Sequence, residues 1–142
     1  MPLFMWLFAL TMIEYCKEVI ESYIIGGAMM EQIDFDYTQP TNQKWLEIMK
    51  EKLLTAQSFE IHCWSEELHW IETALRYGKL KQIDWSYGKV IYGELTPEFV
   101  DMLLNMPKPT DTEAYNKMTP FFSIFLDNGF SSEHYGTELH QM

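Results

Sequence analysis

Basic residues are scarce in this sequence: ten Lys and Arg stand against twenty-one Asp and Glu, a formal charge of −11. A surface this acidic repels phosphate backbones, so direct nucleic-acid binding is not expected. Cysteine is scarcer still. Cys16 and Cys63 are far apart and in no metal-binding or redox spacing, which argues against a disulfide-stapled secreted domain. Cys63 falls on the apolar side of an alternating stretch and is expected to be a buried, reduced thiol. No phosphate-cradling glycine loop, metal-ligand spacing or catalytic motif is present, so nothing calls for a cofactor or a metal. No apolar run reaches the roughly 18–20 residues of a membrane-spanning helix. The longest, MPLFMWLFALTMI, is ended by Glu14.

What is present is core-forming material. Apolar residues make up 47% of the chain and aromatic residues 15%, enough to offset ordering entropy and argue for a folded domain over disorder. The length suits one domain, and the charge and cysteine usage point to the cytoplasm.

Residues 1–29 differ from the rest. One reading is an N-terminal apolar or amphipathic helix, with Cys16, Val19, Ile20 and Tyr23 at helical spacing and membrane-surface contact through residues 1–24. The other is an over-extended gene start. Gly26-Gly27 can be encoded GGA-GGU, a bacterial ribosome-binding sequence, just upstream of Met29 and Met30. The domain itself is then expected over residues 30–130, with 131–142 a loosely ordered tail of low apolar content.

The clearest local signals lie between residues 58 and 106. Phe59, Ile61 and Cys63 alternate with Glu60, His62 and Trp64, the period of a half-buried strand over 58–64. Ser65 is a candidate cap for a helix that Gly78 stops. Strands over about 81–86 and 89–95 follow as a hairpin, with Ile83 and Trp85 facing Val90 and Tyr92. Thr96-Pro97-Glu98 places a cap, a first-turn proline and a first-turn acid in order for a helix to Met106.

Outside that stretch, residues 31–40 suggest an edge strand or extended arm, and Thr41 caps a helix to about Ala56. Thr110-Asp111-Thr112-Glu113 reads as a capping box for a short helix to about Met118. Thr119-Pro120 then opens a helix over PFFSIFLDNGF, in which Ser123 and Asp127 share a polar stripe. The expected fold is α+β: a small, mostly antiparallel sheet of about three strands packed against several helices in a single domain.

Candidate functional residues fall into two groups. Glu60, Asp84 and Glu94 sit on neighbouring predicted strands and can project from one sheet face. Trp64, Glu66, Glu67 and Trp70 form an aromatic-acidic group at the start of a helix, a composition found at interface centres. His62-Cys63 is not a nucleophile-base pair, because strand neighbours point to opposite faces. His62 and His69 match no metal-ligand spacing, and His134 and His140 lie in the expected tail.

Two functions remain. The first is a small acidic, non-enzymatic binding protein that neutralises a basic partner, as an immunity protein or inhibitor blocks a toxin nuclease. The alternative is a small hydrolase or transferase using carboxylates in a cleft between sheet and helices.

Overall fold

The computed structural model describes residues 30–110 and 116–142. The N-terminal segment 1–29, including its amphipathic-helix and gene-start readings, lies outside the described residues. So does most of the short helix expected over 110–118.

Among the described residues seven strands and three helices follow in the order β1 (Glu31–Ile33), α1 (Gln43–Leu53), β2 (Ser58–Trp64), α2 (Leu68–Leu75), β3 (Lys79–Leu80), β4 (Gly88–Glu94), α3 (Pro97–Asn105), β5 (Ser123–Leu126), β6 (Phe130–Glu133) and β7 (Glu138–Gln141). The strands form one sheet in the order β1-β7-β6-β5-β2-β4-β3. Every pairing with a defined register is antiparallel. β2 is the spine of this sheet, with β4 on one side and β5 on the other.

The α+β class stands, but the sheet has seven strands and not three. The difference lies at the C-terminal end. PFFSIFLDNGF holds β5 and the start of β6 where a helix is expected, because a short apolar run fits a strand buried on both faces as well as a buried helix. β5 is largely buried: Ser123, Ile124 and Leu126 are buried between β2 and β6, while Phe125 is partly exposed on the outer face. The Ser123–Asp127 spacing that suggests a helical stripe is incidental. Segment 131–142 is not a loose tail. Low mean hydropathy hides an alternation in which Phe130, Ser132 and Leu139 point into the core. The turn joining β6 to β7 puts His134, Tyr135 and Gly136 at positive φ. Gly136 is required twice over, since a Cβ there would also lie 2.8 Å from Trp45 and Met118.

The other elements follow their local chemistry with small shifts. β2 alternates half-buried and buried side chains along its whole length. α3 begins as the sequence indicates, with Thr96 Oγ1 accepting from Phe99 N at 3.1 Å and Pro97 in the first turn. Asn42, not Thr41, is the residue before α1, and its side chain donates instead to the Met118 carbonyl at 3.0 Å. α2 begins at Leu68 and not beside Ser65, because Ser65 N is held by the Tyr87 carbonyl and Glu67 N by that of Trp64. β3 is only Lys79–Leu80 and pairs with Tyr92 and Ile91, so the expected 81–86 strand is a loop and Ile83 and Trp85 do not face Val90 and Tyr92 across a ladder.

The three described helices pack on one face of the sheet. Trp45, Met49 and Leu53 of α1, Ile71 and Ala74 of α2, and Phe99 and Leu103 of α3 form one cluster. It includes the inward strand residues Phe59, Ile61, Cys63, Ile91, Ile124, Leu126, Phe130 and Leu139. Phe59 and Phe99 stack with centroids 4.0 Å apart. Trp45 satisfies its indole N–H by donating to Ser132 Oγ at 3.0 Å, so the one polar atom α1 buries here is paired. No helix among the described residues packs on the other side, a common arrangement for antiparallel sheets.

Candidate functional site

The register defines that outer face residue by residue. On β2 the outward side chains are Ser58, Glu60, His62 and Trp64. Opposite them on β4 stand Glu94, Tyr92, Val90 and Gly88. On the other side, Phe125 faces Glu60 and Ser123 faces His62. Ser131 and Glu133 on β6, then His140 and Glu138 on β7, complete the rows. The face is therefore aromatic in the middle and carries carboxylates and imidazoles around it.

The rings make a continuous strip. His62 lies 4.8 Å from Phe125 and 5.9 Å from Trp85, Trp85 5.4 Å from Trp64, and Trp64 4.8 Å from Phe122, between centroids. Trp85 joins it from the β3–β4 loop by lying across Gly88, where a Cβ would come within 2.3 Å of the indole. A glycine at this point of β4 is thus what lets the loop fold onto the sheet.

Imidazole-carboxylate contacts recur on the face. Glu60 has both oxygens engaged: Oε2 with His62 Nε2 at 2.8 Å and Oε1 with Lys81 Nζ at 3.0 Å. The His62 contact first, then Lys81, outweighs the opposing effect of burial and holds the Glu60 pKa down to about 2. Glu133 and Glu138 face each other directly across β6 and β7, a like-charge pair that would destabilise the hairpin alone. Each has a histidine beside it. His134 Nδ1 is 2.7 Å from Glu138, and His140 Nδ1 is 3.2 Å from Glu133 without hydrogen-bond alignment, so the latter acts as an ion pair once protonated. Burial would raise the Glu133 pKa, but His140 and Ser131 together outweigh it and lower it; Glu133 in turn raises that of His140.

The seven residues singled out in the sequence separate into different places. Glu60 and Glu94 do share the outer face, Glu60 directly opposite Tyr92 and Glu94 two residues beyond Tyr92 on β4. Asp84 is exposed in the loop beside it. Trp64 belongs to the ring strip of that face. Trp70 turns the other way, 6.0 Å from Phe121 and packed against the core. Glu66 is exposed, while Glu67 is a structural tie: its carboxylate accepts from Trp64 N at 2.9 Å and from the Tyr135 hydroxyl at 2.8 Å. That bond joins the start of α2 to the β6–β7 turn, a partner no local pattern indicates.

His62 and Cys63 do point to opposite faces. Cys63 is fully buried, and burial, then the Glu67 charge, pushes its thiol up to about 12, so it is no nucleophile. The space between sheet and helices is filled by the apolar cluster, and Glu60, Asp84 and Glu94 lie away from it. Among the described residues no group of three or more His, Cys, Asp or Glu is placed to hold a metal ion. No described helix is long and apolar enough to cross a membrane.

Residues not singled out as functional candidates in the sequence complete the face. Tyr92, Phe125 and Lys81 line one open groove of about 700 Å³ together with Ser58, Glu60 and Asp127. Nearby, Ile83, Tyr87 and Tyr92 are exposed at 43%, 72% and 45%, three large side chains within ten residues of chain. The position of Tyr92 and Phe125 on either side of Glu60 depends on long-range register and is not visible in local pattern.

Fold and face together define an antiparallel α+β protein with one helix-covered sheet face and an aromatic-acidic outer face. No family model, curated protein or solved structure gives a significant match to this chain.

Proposed function

We propose that this chain is a non-enzymatic, acidic binding protein that neutralises a basic protein partner on its outer sheet face, as an immunity protein or inhibitor blocks a toxin nuclease. The observation that carries the reading is the exposed Tyr92, opposite Glu60 on the outer face and two residues from Glu94, with exposed Ile83, Asp84 and Tyr87 in the loop that leads into β4. Exposed large apolar residues on a folded surface mark interaction sites when they are grouped. Tyrosine in particular is enriched where interfaces derive most of their energy. The surrounding carboxylates and the −11 overall charge complement a basic partner and would steer it to this face. No observation of this kind favours the hydrolase or transferase alternative.

Capture from the source cell at about 50 and about 300 mM salt, followed by association kinetics on the captured protein, tests the reading. A basic protein should be retained at low salt, with an on-rate that falls as salt rises. Asp84→Lys and Glu94→Lys should slow association, while Ile83→Ala and Tyr87→Ala should speed dissociation. Acidic partners, or binding indifferent to salt, would remove the basis of the proposal.

A further inference from the structure

The register places one carboxylate between two aromatic rings. Glu60 has Phe125 directly opposite on β5 and Tyr92 directly opposite on β4. Such cross-strand neighbours have Cβ atoms about 4.5–5.5 Å apart, so both rings flank the carboxylate. All three line the groove of about 700 Å³. Its charged lining is Glu60 and Asp127 against Lys81 alone, so the groove keeps a net negative charge even with its own cation in place. Lys81 is a loosely committed cation. Its side chain is 47% exposed, it follows the two-residue strand β3, and an ion pair that open to solvent holds little energy. A planar cation that binds carboxylates through a fork of N–H donors and stacks on aromatic faces suits this arrangement better than an ammonium does.

We infer that the groove is an arginine socket: a guanidinium from the basic partner enters between Phe125 and Tyr92 and takes the Glu60 carboxylate from Lys81. The inference rests on the proposal that the outer face binds a basic protein, and it names the side chain which that face receives. Lys81 is then a resident competitor that neutralises Glu60 in the free protein and swings toward solvent on binding. His62 keeps one lone pair of Oε2 and leaves the other for the fork, with Phe125 against its ring at 4.8 Å. A lysine of the partner gains less here, since it brings neither the fork nor the flat face.

The experiment titrates the full chain at low salt with a blocked Gly-Arg-Gly peptide, its lysine analogue and its isosteric, uncharged citrulline analogue, read by amide and histidine-ring NMR shifts. Arginine should perturb residues 58–62, 80–82, 92–93 and 125–127 and bind at least about tenfold more tightly than citrulline, with lysine between. Lys81→Met should tighten arginine binding, because it removes the competitor and leaves its stem. Glu60→Gln should reduce arginine to the level of citrulline. Tyr92→Ala, at an exposed site that is not part of the core, should weaken arginine binding about tenfold without unfolding the chain. Equal shifts from arginine and citrulline, or weaker binding by Lys81→Met, would overturn the socket. If the peptide ignores the groove while a basic protein is still captured in a salt-dependent way, the socket alone fails. If the peptide binds as described while the captured proteins are acidic, the socket stands and the partner reading fails.

Discussion

Leu139 gives the sharpest test of the C-terminal architecture. It lies in a segment of low mean hydropathy, yet it is fully buried on β7, opposite Ser132 and inside the core cluster. Leu139→Ala removes three carbons and leaves a cavity that the core cluster around it, with Phe130 and Trp45, and Ser132 opposite can only partly close. Fully buried Leu→Ala changes cost about 3 kcal/mol or somewhat more. With a urea m-value of about 2 kcal/mol/M, the unfolding midpoint should fall by about 1.5 M, and the melting temperature by roughly 10 °C. Leu54→Ala is the matched control, since Leu54 is 81% exposed just after α1, and it should cost less than about 0.5 kcal/mol. Urea titration followed by tryptophan fluorescence reads both. Equal, small effects of the two substitutions would refute the buried β7 and restore a loose tail.

Three further outcomes follow from the same structure. Glu67→Ala should destabilise by about 2 kcal/mol in urea titration, through two lost bonds to a carboxylate, while exposed Glu66→Ala should be nearly neutral; equal effects would contradict the tie to Tyr135. Cys63 should react with thiol reagents at the rate of local opening in the native state and fast in denaturant, because burial holds its thiol near 12; fast native labelling at neutral pH would contradict this. The Glu133–His140 contact has a defined pH window. Its raised histidine stabilises the fold below about 6.5, a contribution lost as pH rises through the folded value. Its lowered carboxylate contributes above about 4.5, a contribution lost as pH falls. The stability difference between wild type and His140→Asn, from urea titrations across pH, should therefore be largest between those limits and shrink on both sides; a flat difference would refute the coupling.

What the sequence reveals is what local chemistry controls. β2 is visible from its alternation and α3 from Thr96 and Pro97, because the signals lie within a few residues of the elements they set. β5 is not, since PFFSIFL is apolar on both faces and only its position between β2 and β6 separates strand from helix. β6 and β7 hide behind serines that are buried or bonded, with Ser131 donating to Glu133 and Ser132 accepting from Trp45. The face divides in the same way. Glu60 and Glu94 are legible as outward residues by period two. The rings beside Glu60 are not, because Tyr92 and Phe125 reach it only through register with strands about thirty and sixty-five positions away. Glu67 misleads for the same reason: its partner Tyr135 is 68 residues distant.

Hydrogen exchange on the complex with the captured basic protein tests the central claim, that the outer sheet face is the binding face. Residues 82–87 lie between β3 and β4 outside the strand ladders, so their amides exchange readily in the free chain and have protection to gain. New protection is expected over 82–87 and around the β5–β6 turn at 127–129, with the exposed sides of α1 and α3 unchanged. Protection confined to residues 43–53 and 97–105, with 82–87 exchanging as before, would place the partner on the helices and contradict it.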